Sequence, residues 1–186
     1  MARAIAQEAE VQLVLLIEMI ERAAEDESAL EGGEFVLDLF AGTASALVAL
    51  LLEGGVVSHY KWVELDSASA LVIVPTVKWA LENFEGQVNH VTFRDSFSCR
   101  DVNQLSWADL VIDNTPVSLV PCGSPCQGFS RAPEVSLGLA HPGSVLLLRA
   151  LDIIDMVRVL NSEAVYVFEN VNIGETHPDV LEYLES

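Results

Sequence analysis

The chain has 186 residues, 51% of them apolar and 20% charged, enough to bury the core of one globular domain and too apolar for an unstructured polymer. Twenty-eight acids against nine bases give a formal net charge of -19. That balance argues against unaided nucleic-acid binding, because such affinity comes from Lys and Arg neutralising phosphates. Three cysteines, Cys99, Cys122 and Cys126, and four scattered histidines argue against a disulfide framework or a closed four-ligand zinc centre, so no metal is expected.

In chain order, the apolar period through Val11, Val14, Leu15 and Met19 predicts an amphipathic helix from Ile5 to Ala24. The run Leu13 to Ile17 within it is far too short to span a bilayer, and Glu8 and Glu10 stand where a secretory leader would be basic. An intracellular protein away from membranes follows, nuclear in a eukaryote and cytoplasmic in a prokaryote. The acidic stretch Glu25 to Glu31 ends the helix, so residues 1–31 read as a helix and linker ahead of a domain over 32–186. Phe35 to Leu39 predicts a buried strand, Ala44 to Leu52 a helix and Tyr60 to Leu65 a second strand. Ala68 to Glu82 predicts a helix that Pro75 should kink or interrupt. Val88 to Phe93 reads as a third strand and Leu110 to Ile112 as a fourth, continued by Val117 to Val120. Ser144 to Leu160 predicts a long helix and Ala164 to Phe168 a fifth strand. Alternation of this kind implies an α/β fold, a parallel sheet between two helical layers.

Chemistry-bearing residues follow the strands. Asp38-Leu39-Phe40-Ala41-Gly42-Thr43 runs from the first strand into a helix, and Gly42 lets the backbone turn tightly against a ligand at the helix start. Glu64-Leu65-Asp66 ends the second strand, where an acid accepts from ribose hydroxyls in dinucleotide-type folds. Asp95, after the third, could accept from an adenine amino group. Gly123-Ser124-Pro125-Cys126-Gln127-Gly128-Phe129-Ser130 holds a cysteine in a rigid loop, as a nucleophilic thiol requires. Phe168-Glu169-Asn170-Val171 puts a carboxylate at the end of the fifth strand, where a general acid would face the same crevice.

In order and spacing, these segments resemble the cytosine-5 DNA methyltransferase family, closest to its de novo branch. The resemblance runs from Phe35 to Val171, and its specific part is the Pro-Cys-Gln loop followed by Glu-Asn-Val. It implies a Rossmann-like, three-layer sheet that takes S-adenosyl-L-methionine and moves its methyl group to carbon 5 of cytosine. Asp38, Phe40, Gly42, Thr43, Glu64, Leu65, Asp95 and Phe97 would hold the cofactor. Cys126 would add to carbon 6 of a flipped base, and Glu169 would contact ring nitrogen 3. Pro125 and Asn170 would keep loop and acid in register, while Gln127, Ser130 and Arg131 would touch the nucleic acid.

Departures from the family pattern refine the expectation. Ala44 stands at a usual glycine. Residues Asp113 to Cys122 look like an insertion ahead of the nucleophile loop, since removing them would join Ile112 directly to Gly123. His141-Pro142-Gly143-Ser144 replaces a stretch that usually carries an arginine. The last strands and the target-recognition domain have no counterpart, so DNA would be gripped through a recognition domain or a complementary methyltransferase subunit. A tRNA cytosine-5 methyltransferase and a catalytically inactive cofactor- or partner-binding paralogue are the alternatives.

Overall fold

The computed structural model describes residues 2–25, 27–96, 100–125 and 144–169. Strand β1, Glu34–Leu39, is buried from Phe35 onward on both faces, as a central parallel strand must be. It pairs in parallel with β2, Val57–Val63, on one side and with β5, Leu119–Gly123, on the other. β5 in turn pairs with β6, Val165–Glu169, giving a four-stranded parallel sheet of order β2-β1-β5-β6.

Alternation along β1 and β2 feeds two cores. Val36, Tyr60 and Trp62 face helices α1, Ala2–Ala24; α2, Ser45–Leu52; and α3, Ser67–Asn83. Phe35, Leu37, Leu39 and Val63 face α5, Val145–Leu160, and two 3₁₀ turns, Val102–Gln104 and Trp107–Leu110. The fold is thus α/β and Rossmann-like, with a helical layer on each side of the sheet. Leu16 and Ile20 of α1 are 1% exposed within the first core, so the N-terminal helix packs into the same body as the sheet. Its opposite side leaves Val11, Val14, Leu15 and Met19 exposed.

Three expectations change. The segment read as a third strand forms the short helix α4, His90–Phe93. Asn89 and Thr92 close a reciprocal capping box there, and that local bonding outweighs the strand propensity of the apolar run. The segment still lies along the outer edge of β2: the Val57 amide donates to the Gln87 carbonyl at 2.8 Å, Thr92 Oγ1 donates to the Val57 carbonyl at 2.9 Å, and Ser96 Oγ donates to the Tyr60 carbonyl. Second, α3 runs through Pro75 from Ser67 to Asn83 without interruption.

Third, the apparent insertion supplies the sheet. Val111–Ile112 (β3) and Thr115–Pro116 (β4) form a small antiparallel hairpin whose turn residues, Asp113 and Asn114, both have positive φ, 49° and 64°. Asn and Asp tolerate that conformation, and two in succession match the twist of a two-residue hairpin. The sheet strand itself is Leu119–Gly123, so the expected fourth strand at Leu110 to Ile112 is displaced onto this hairpin.

Candidate active site

The carboxyl ends of the four strands bring Phe40, Glu64, Gly123 and Glu169 to one edge, through the register pairs Leu39 with Val63, Leu39 with Cys122, and Gly123 with Glu169. After β1 the chain turns sharply: Phe40, Gly42 and Ala44 take φ of 59°, 53° and 59°. Ala44 is the residue flanking the start of α2 and is fully buried in this left-handed conformation, which explains why glycine is natural there.

Glu64 ties this turn to the end of β2. One carboxylate oxygen accepts from the Gly42 amide at 3.1 Å, and the other accepts from the Asp66 amide at 2.8 Å. Asp66 itself caps α3, and hydrogen bonds to its carboxylate, first from the Ala68 amide and then from Ser69, hold it below the usual carboxylate range. Thr43 is exposed on the turn.

Beside Glu64 opens a cavity of about 200 Å³. It is lined by Phe40, Val63, Glu64 and Leu65 from the ends of β1 and β2, by Arg100, Asp101, Val102 and Asn103, and by Pro125 and Leu146. That volume is below the usual range of ligand pockets. Its walls are mainly apolar, and Glu64 and Asp101 bring carboxylate residues to the lining.

Asp101, not Asp95, therefore shares the cavity with Glu64. Asp95 follows α4 and accepts from Arg94 Nε at 3.0 Å, while Arg94 also donates to Asp113 at 2.7 Å and so anchors the β3-β4 turn. Sequence reading missed Arg100, Asp101, Val102 and Asn103. The available signal was a second Arg-Asp pair, Arg100-Asp101, six residues after Arg94-Asp95.

Asp38 sits beneath the site. It is 4% exposed, and Tyr60 Oη donates to its Oδ2 at 2.7 Å. Burial raises its pKa to about 7, with the charge of Glu64 adding to the rise and the Tyr60 hydrogen bond opposing it. Asp38 is thus a buried support of the β1 end and does not line the cavity.

Gly123 leaves room at the other end of the edge. A Cβ placed on it would stand 3.8 Å from Glu169 Oε2 and 3.9 Å from the Phe40 carbonyl oxygen. Cys122 faces the second core, and burial pushes its thiol up to about 12. Phe97, Cys126, Gln127, Ser130, Arg131 and Asn170 lie outside the described residues, as does Cys99. Among the described residues no cluster of His, Cys, Asp and Glu suits a metal ion, and no helix is long and apolar enough to cross a membrane. No protein-family model matches the chain, and no curated protein matches it.

Proposed function

We propose that this chain carries the cofactor-binding and nucleophile-bearing elements of an S-adenosylmethionine-dependent DNA cytosine-5 methyltransferase. One observation carries the proposal: Pro125, the residue before Cys126, lines the same cavity as Glu64 and Asp101, and Gly123 pairs with Glu169 at that edge. A cavity, the residue that precedes the cysteine and a carboxylate thus stand at the edge where open sheets bind ligands.

The residues present fit the cofactor. Glu64 offers acceptors to ribose hydroxyls, Asp101 offers one to an adenine amino group, and Phe40, Leu65, Val102 and Leu146 give a planar ring apolar walls. Carboxylates also favour a cationic ligand over a phosphate-bearing one. When bound, S-adenosylmethionine supplies an electrophilic methyl group. The work of the chain is to make carbon 5 of cytosine nucleophilic. The Cys126 thiolate bonds to carbon 6, and Glu169, at nitrogen 3, offsets the negative charge that develops on the ring. After methylation the proton leaves carbon 5, and the carbon–sulfur bond breaks to return the thiolate.

Calorimetric titration with S-adenosylhomocysteine tests the pocket: the folded chain binds and Glu64→Ala weakens binding at least about tenfold, the scale of a lost charge-assisted hydrogen bond. A folded wild type that stays silent at millimolar ligand rules the assignment out. DNA carrying 5-fluorocytosine tests the chemistry, giving a covalent adduct with the reconstituted enzyme that Cys126→Ser abolishes. A catalytically silent paralogue is the second reading, favoured by the net charge of -19, and it is distinguished by cofactor binding without adduct. The same trap presented in tRNA separates the RNA-acting alternative.

A further inference from the structure

Arg100 is the one basic side chain among the described residues that line the cavity. Its Nε is buried and has no hydrogen-bond partner among the described residues. The contrast with the earlier Arg-Asp pair is informative: Arg94 Nε donates to Asp95 and its Nη2 to Asp113, so that guanidinium is satisfied inside the protein. In the second pair Asp101 Oδ1 accepts from the Asn103 backbone and side-chain amides at 3.0 and 3.1 Å, and Arg100 Nε keeps its proton unshared among the described residues. A guanidinium keeps its charge and offers only donors, and a buried N–H without an acceptor is costly. A bound ligand is the natural source of the missing acceptor.

The acceptor's chemistry follows from the surroundings. A phosphate or carboxylate would meet Glu64 and Asp101 on the cavity walls and Asp66 close by, three acids against one base. A neutral ring nitrogen avoids that repulsion. Arg100 and Asp101 are consecutive and both line the cavity, so a donor and an acceptor stand side by side, complementary to a purine edge that carries a ring nitrogen next to an amino group.

Building on the nucleoside pocket proposed above, we infer that Arg100 is a specificity residue that donates to a ring nitrogen of the bound purine. Calorimetry with wild type and Arg100→Met decides it, using S-adenosylhomocysteine and its 1-deaza, 3-deaza and 7-deaza analogues. Arg100→Met weakens S-adenosylhomocysteine about tenfold, one deaza analogue loses the same factor on wild type, and the variant binds that analogue and the parent equally. Arg100→Lys does not restore affinity, because an ammonium cannot reproduce the planar Nε–H. Wild-type affinity in Arg100→Met, or an equal loss for every analogue, overturns the assignment while leaving the pocket intact. If Arg100→Met fails to fold, the wild-type series alone decides, and equal affinity for all four ligands refutes it. Failure of wild type to bind S-adenosylhomocysteine refutes the pocket and this inference together.

Discussion

Tyr60 and Asp38, side by side on β2 and β1, form a buried hydroxyl–carboxylate pair at 2.7 Å beneath the ligand edge. Burial raises Asp38 to about 7, against an ordinary value of 3.8. The folded state therefore binds a proton that the unfolded state has already released between those values. Stability from this group is fully present below pH 4 and is lost as pH rises towards 7. Asp38→Asn should flatten the thermal midpoint across pH 4 to 7. Tyr60→Phe should cost about 1–3 kcal/mol and shift the loss to higher pH, since the donor that held the carboxyl down is gone. An unchanged pH profile in Asp38→Asn would show that another group governs the slope.

Lys61 is buried under the 3₁₀ turn, where its Nζ donates to Asp109 Oδ1 at 2.9 Å, with the two side chains 4% and 21% exposed. Burial works to raise Asp109, yet hydrogen bonds from Lys61 and Ser106 hold it below its usual range. Asp109→Ala should cost about 3–5 kcal/mol in urea unfolding by stranding the ammonium. Lys61→Met with Asp109→Leu should recover much of that loss. A cost near zero for Asp109→Ala would mean that water reaches Lys61.

Cys122 should be silent to thiol reagents in the native protein. With its thiol at about 12, only about one molecule in ten thousand is thiolate at pH 8, and the side chain is 2% exposed. Mass-spectrometric labelling should find Cys122 modified only after unfolding. Native labelling at Cys122 at the rate of a free thiol would contradict its place in the core.

Ala44 carries a left-handed φ of 59° while fully buried. Ala44→Gly trades that strain against a lost methyl contact and a more flexible unfolded chain, so it should stay within about 1 kcal/mol of wild type. Ala44→Val should cost about 2 kcal/mol or more, because a β-branched side chain disfavours this conformation and the site has no spare room. Chemical denaturation separates the two.

DNA binding by the isolated chain should be weak, with a dissociation constant above about 10⁻⁴ M at physiological salt, since nine bases face twenty-eight acids. Fluorescence anisotropy at rising salt measures it. Micromolar binding by the isolated chain would show that its bases cluster on one face.

Much of the fold was legible because periodicity reports burial. β1, α2, α3, α5 and β6 follow their apolar patterns within a few residues. Two strand assignments changed, one for a local reason and one for a long-range one. Residues 88–93 have strand-like composition, but the Asn89–Thr92 box spends the backbone on a helical turn. The strand expected at 110–112 and continued by 117–120 is divided: its first part forms the hairpin, and its second part overlaps the sheet strand beside β1, a choice made by register in three dimensions. Of the residues read from the sequence, Phe40, Glu64, Leu65 and Pro125 line the cavity; Asp101 lines it and Asp95 does not, because position along the chain does not reveal which of two Arg-Asp pairs reaches it.

The helix that replaced a strand along β2 has a protective effect. The outermost strand of a parallel sheet normally offers a row of free amides and carbonyls, a template on which another molecule can polymerise. Here Gln87, Thr92 and Ser96 occupy those groups at Val57 and Tyr60 with a carbonyl and two hydroxyls, and the backbone that carries them is coiled rather than extended. A neighbouring molecule finds these groups already taken, so this part of the flank of a strongly apolar sheet is guarded against fibril-like growth by one backbone carbonyl and two side-chain hydroxyls.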